Sequence, residues 1–183
     1  MGRSGTGVGI WKAINDMKDI EPILGCLEKT PRILTELLSQ IPAQSLKVRR
    51  AANSWSIHEH ACHIATGDRI GFIHRLRQFV NEEFPIFVPL SGETFRPDHL
   101  MNMSLESALD AFFKDRAEVI RLIKSLDPTL WDKKGAHPEY IAFTPYIMLR
   151  HRLMHDHLHM YRIEALWLTT EQRLGIKERR GSD

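Results

Sequence analysis

Apolar residues recur along this chain at intervals of three and four, in runs separated by proline-bearing segments. That spacing marks one face of a helix, whereas a half-buried strand alternates every second residue. In LEKTPRILTELLSQIP the face is Ile33, Leu34, Leu37, Leu38 and Ile41. Thr30 reads as the N-cap with Pro31 at the first helical position, and Pro42 stops the helix. The preceding PILGCL is expected to add a turn or a bent extension. The second helix opens with Ser56 and Glu59, a capping box, and its pattern runs to about Val80. A third begins near Ser104, with Leu105, Leu109, Phe112, Phe113, Val119, Leu122, Ile123 and Leu126 in its stripe, and ends at Asp127-Pro128. The fourth starts at Thr144-Pro145, again an N-cap followed by proline, and continues to about Leu168.

Two connections are longer than a helix hairpin needs: EEFPIFVPLSGETFRPDH, with Pro85 and Pro89, and LWDKKGAHPEYIAF. The first is too proline-rich for regular structure, the second reads as a loop, and neither carries a convincing alternating strand. The pattern predicts an all-α fold, a four-helix bundle with two elaborated interhelical loops. Residues 1–21 read as a flexible N-terminal arm and lead-in, 22–168 as the bundle, and 169–183 as a solvated tail.

Composition adds mainly exclusions. Of 183 residues, 43% are apolar and 26% charged, ordinary for one globular domain. Net charge is +2, from 25 basic and 23 acidic side chains, which argues against a dedicated nucleic-acid binder despite a local patch at Lys47–Arg50. The two cysteines, Cys26 and Cys62, have no CxxC spacing, so neither a disulfide framework nor a thiolate zinc site is expected. The reducing cytoplasm is the expected compartment. No apolar run approaches the roughly 20 residues of a membrane helix, and MGRSGTGVGIW lacks the apolar core of a signal peptide. The expected partner is a small molecule rather than a membrane or a nucleic acid.

Chemistry concentrates in LMHDHLHMYRI, with His155, His157 and His159. On a helix His155 and His159 share a face one turn apart, while His157 points to the opposite side. Such a pair suits adjacent sites on one metal ion, although two half-buried, hydrogen-bonded rings are the commoner use of that spacing. A further ligand is needed. His63, in the small, apolar neighbourhood of Ala61, Cys62, Ile64 and Ala65, is the best candidate, with His58 and His60 as rivals. His58, in the first turn, is expected to be exposed. A core role with a satisfied ring is the plain alternative for His63.

The stretches W-S-I-H-E-H-A-C-H-I at 55–64 and H-D-H-L-H-M-Y-R-I at 155–163 resemble the DinB/YfiT-like superfamily. Its pattern sets a tryptophan before helix two, a histidine within that helix, and H-D-x-x-H near the end of a four-helix bundle. The likeness extends over roughly 22–168, through LEKTPRILTELL and FFKDRAEVIRLIKSLDPTLWDKKGAHPEY. It implies that His63, His155 and His159 hold a divalent metal, zinc or nickel, and that the subunit forms a homodimer. Many relatives read H-H-x-x-Q-I at the end. This chain has Leu158 before His159 and Arg162 in place of the glutamine, so the pocket is expected to differ.

Neighbouring residues have weaker claims. Glu59 lies one turn before His63 and would serve as a general base, but its capping role explains it without chemistry. His151 is expected to line the pocket. Arg162 is read either as an anion-binding group or as a salt-bridge partner. Asp156 should bond within its helix or to a neighbouring one, and Trp55 and Trp131 should anchor loop ends. His137 is a remote candidate for the pocket mouth. Two functions fit. The resemblance implies a metal-dependent enzyme that activates a thiol, such as a low-molecular-weight thiol, or water: a transferase or a hydrolase. The alternative is a non-catalytic bundle that works by binding metal or by dimerising.

Overall fold

The computed structural model describes residues 20–89 and 97–168. The predicted arm up to residue 19 and the tail from 169 lie outside the described residues. Four long helical segments form the bundle: α1 (Ile20–Ser39), the pair α3 (Ile57–Gly67) and α4 (Ile73–Asn81), α6 (Leu105–Lys124) and α7 (Pro145–Trp167). Shorter pieces are α2 (Ala43–Leu46), between the first two long segments, and α5 (Pro97–Asn102), before α6. No described helix is long and apolar enough to cross a membrane.

Three of the four helix starts follow the sequence. The Ser56–Glu59 capping box forms at α3, Ser104 accepts from the Ser107 N–H at α6, and Thr144 accepts from the Ile147 N–H at α7. The fourth does not. Thr30 is no N-cap and Pro31 does not begin a helix, because α1 starts at Ile20 and runs through both. Pro31 has no N–H to offer the Leu27 carbonyl one turn back. The Arg116 Nη1 of α6 donates to that carbonyl instead, at 2.8 Å. The Thr30 hydroxyl meanwhile donates to the Cys26 carbonyl within the same helix.

Between α3 and α4 the helix widens into one π-helical stretch, Asp68–Phe72. The whole of α3 is buried, since α2, α5, α6 and α7 all pack on it. That is why His58 is buried rather than exposed as predicted: α5 covers it, and its Nε2 lies 3.1 Å from the Leu100 carbonyl. Ile33 and Phe113, assigned to apolar stripes, are instead exposed.

The second long loop also departs from expectation. After a 3₁₀ turn at Pro128–Asp132 it folds into a hairpin, β1 (Gly135–His137) and β2 (Tyr140–Phe143). The strands are antiparallel, with Gly135 opposite Phe143 and His137 opposite Tyr140. The first loop joins them: Phe87 N–H donates to the Ala136 carbonyl and Ala136 N–H to that of Pro85. A side chain at Gly135 would put its Cβ 2.4 Å from the Phe87 ring and 2.8 Å from the Pro85 carbonyl, so this approach requires glycine. Strands of three and four residues are too short to declare an alternating pattern.

The core is split in two. One apolar cluster gathers Leu24, Leu27, Phe72, Phe79, Val119 and Leu149, and the other gathers Leu34, Ile64, Ala65, Phe112 and Ile163. On three helical segments a buried charge falls between the two groups: Asp68 between Ala65 and Phe72, Arg116 between Phe112 and Val119, and Asp156 between Leu149 and Ile163. With Arg152 these residues make a closed layer of two guanidiniums and two carboxylates. Arg116 donates from Nε to Asp68 and from Nη2 to Asp156, both at 2.7 Å. Arg152 Nε lies 2.8 Å from Asp68, and its Nη2 lies 3.2 Å from Asp156 and donates to the Ile64 carbonyl at 3.0 Å. Gly67 leaves room for this guanidinium, since a Cβ there would fall 2.5 Å from Arg152 Nη1.

Candidate metal centre

His63 is contributed by α3, and His155 and His159 by α7, which packs against it. The α7 pair meets on one face because its members are one turn apart. Across the helix interface His63 Nε2 lies 3.0 Å from His155 Nε2. One nitrogen from each of the three rings falls within 4.8 Å of the others. Two nitrogens about 2.1 Å from a common tetrahedral ion stand about 3.4 Å apart, so the cluster fits a divalent ion with little movement. Among the described residues no fourth histidine, cysteine or carboxylate joins the group. His157 is exposed and lies outside it.

Two of the rings, His63 and His159, are held in the neutral state a metal requires. Burial, then the charge His155 would carry, pushes the pKa of His63 down to about 3. Burial, then His155 and His63, pushes that of His159 down to about 2. Neutral imidazole keeps the lone pair that coordinates. Stability follows from the same shifts. The folded pKa of His63 lies below its unfolded value near 6.5, so between about 6.5 and about 3 the unfolded chain binds more protons, and acid favours unfolding. The metal-free protein is expected to melt at a clearly lower temperature near pH 5 than near pH 7. Equal melting temperatures would show that these rings are not buried as described.

His60 proves to be a neighbour of the cluster rather than one of its three members. Its Nδ1 is 2.8 Å from His159 Nδ1, so one ring donates to the other. That bond occupies Nδ1 of His159 and leaves Nε2 as its coordinating atom. Asp156 lies beneath, with its oxygen 3.9 Å from His155 Nδ1. Arg152 and Arg116 hold the Asp156 carboxyl well below the usual carboxylate range despite its burial. Asp156 thus ties the cluster to the charged layer, bonding both within α7 and to α6. Trp55 was expected only to anchor a loop. Its ring lies 5.0 Å from that of His63 and 5.9 Å from that of His159, in contact with the cluster.

Glu59 is engaged elsewhere. Its carboxylate accepts from the Ser56 backbone N–H and from Arg49 Nε at 2.8 Å, which accounts for it as a cap and an ion-pair partner. The remaining arginine of the basic patch is also structural, since Arg50 donates to the Ala165, Leu166 and Leu168 carbonyls at the end of α7.

Two cavities meet at the cluster. The deeper, of about 300 Å³, is lined by His63 and His155 on one side and by Arg75, His137, Tyr140 and His151 among the groups around it. His151 therefore lines the pocket as expected, its Nδ1 2.6 Å from the Tyr140 hydroxyl. His137 does so as well, because the hairpin folds it inward. Arg162 is exposed and lies on the other cavity, a shallower one shared with His60, His63, His159 and Trp55. Arg75 and Tyr140 had no sequence signal, since neither lies near a histidine of the cluster along the chain.

The family model of the DinB superfamily matches residues 27–163 of this chain. Among solved structures the chain is similar to YfiT from Bacillus subtilis, described as a probable metal-dependent hydrolase with an unusual four-helix bundle topology. The two share 16% identity, with a TM-score of 0.73 over 96% of this chain and 93% of that one, a likeness of fold. No curated protein matches the chain.

Proposed function

Because the chain belongs to the DinB superfamily, we propose that it is a divalent-metal-dependent enzyme acting on a small molecule, as a hydrolase or a thiol transferase, with His63, His155 and His159 as the ligands. One observation supports this above the others: three imidazole nitrogens within 4.8 Å, with no fourth protein ligand among the described residues, border a cavity of about 300 Å³. A structural site would be closed by four protein ligands, whereas a catalytic one keeps a position open. A divalent ion held there supplies Lewis acidity, lowering the pKa of a water or thiol that takes the open position.

The protein's own groups do the rest. His60 fixes the ring of His159 through Nδ1, the kind of outer contact that orients a ligand. Trp55 packs its ring against those of His63 and His159. Tyr140 and His151, hydrogen-bonded on the opposite wall, offer a donor and an acceptor to a bound substrate. Zinc and nickel both suit a three-imidazole set. YfiT's description as a hydrolase favours water as the nucleophile, and the resemblance noted in the sequence admits either thiol or water.

The test is turnover by protein loaded with zinc or nickel. One arm uses small ester and amide substrates, the other an electrophile with cysteine or another low-molecular-weight thiol. Metal-dependent turnover in one arm is expected. Stoichiometric metal with no turnover in either would favour a non-catalytic binding bundle.

A further inference from the structure

The positive charges around the deeper cavity are not equivalent. Arg152 is matched by Asp68 and Asp156. Arg75 is not matched in this way. It is half-buried on α4, its Nη2 donates to the Val88 carbonyl at 2.7 Å, and its guanidinium lies 5.9 Å from the centre of the Phe87 ring. Among the described residues no carboxylate oxygen comes within ion-pair distance of it. A guanidinium has five N–H donors, and the one bond to Val88 leaves others for a ligand in the cavity that Arg75 lines with His63 and His155. Burial lowers its pKa by stripping the charge of water, and the charge of Glu139, which lines the same cavity, acts the other way without forming an ion pair.

We propose that the deeper cavity takes a small molecule with a carboxylate at one end, which Arg75 binds, while the reacting end is placed at the histidine cluster. The inference rests on the reading of that cluster as a divalent-metal site. A planar carboxylate matches the guanidinium fork. A single negative charge fits better than a phosphate dianion, because Glu139 lines the same cavity and the repulsion from it grows with each negative charge on the ligand. A volume near 300 Å³ is at the small end for ligand sites, which favours a metabolite-sized molecule over a peptide. Arg75 is thereby a specificity-determining residue.

The experiment uses zinc-loaded full-length protein and measures binding by calorimetry. The probes are monohydroxamates of the dicarboxylic acids from succinic to adipic. Each is paired with the hydroxamate of equal length whose tail ends in methyl. The hydroxamate end is directed to the metal in both, so only the tail differs. At one chain length or more the carboxylate tail is expected to tighten binding by about 10-fold or more. Arg75→Met should abolish that advantage and leave the methyl-tailed probe and the zinc content unchanged. Equal binding of both tails at every length, or an advantage that survives Arg75→Met, overturns the proposal while leaving the metal site intact. Binding of neither probe overturns the metal-site reading, and this proposal with it.

Discussion

Replacing His63 with alanine is expected to empty the metal site while leaving the bundle folded. The two remaining ligands, His155 and His159, sit on one helix, and only His63 brings a nitrogen from the helix opposite. Losing a contact that merely orients a ligand costs about 10–100-fold in metal affinity, and losing a ligand itself should cost more. Elemental analysis after dialysis should find the ion in the parent protein and in His157→Ala, where the ring is exposed and outside the cluster. It should be absent from His63→Ala. His60→Ala falls between, retaining metal with affinity reduced within the 10–100-fold range. Equal metal content in His63→Ala and the parent would remove the assignment. Folding should survive, because the ion pairs of the charged layer that joins the helices are made without this ring, and circular dichroism checks this directly.

The second large effect is expected from Arg116, which never touches the cavity. Arg116→Met removes one cation from a buried layer that balances two against two. Asp68 and Asp156 would then share Arg152 alone, leaving a net negative charge in the core. Breaking such a pair typically costs about 3–5 kcal/mol. The Leu27 carbonyl loses its donor at the same stroke, and Pro31 forbids the helix from supplying another, for about 1–3 kcal/mol more. Against a total stability of about 5–15 kcal/mol, the variant should be near unfolding at room temperature. Denaturant titration measures it, and a loss below about 1 kcal/mol would show that the layer is not closed as described. Arg116→Lys keeps the charge but not the fork that reaches three partners at once, so it should recover only part of the loss.

Arg116 also explains why one helix start was misread. Thr30-Pro31 has the chemistry of an N-terminus, and so does Thr144-Pro145, yet only the second is one. Nothing local separates them. The difference is an arginine on another helix that satisfies the carbonyl Pro31 leaves bare. His58 repeats the lesson, because its burial depends on α5, a short helix whose place against α3 no periodicity announces. Burial of His137 and the presence of Tyr140 at the cavity depend in turn on two loops pairing with each other.

The sequence by itself determined whatever repeats within a few residues. Helical phase separated His155 and His159 from His157 and placed the first two on one face. The Ser56–Glu59 box and Thr144 set helix starts, and the four helical patterns set the all-α class. The order and types of the histidines were enough to mark the resemblance to a family. Tertiary structure decided what those local pieces face: that His60 supports His159, that Glu59 is bound by Arg49 instead of reaching the cluster, that Arg162 opens on the shallower side, and that Asp68, Arg116, Arg152 and Asp156 cancel one another. The physical reason is range. Backbone hydrogen bonds and side-chain phase act over one helical turn and are written in the local pattern. Burial and charge pairing depend on which distant segment arrives alongside, and only the packed chain fixes that.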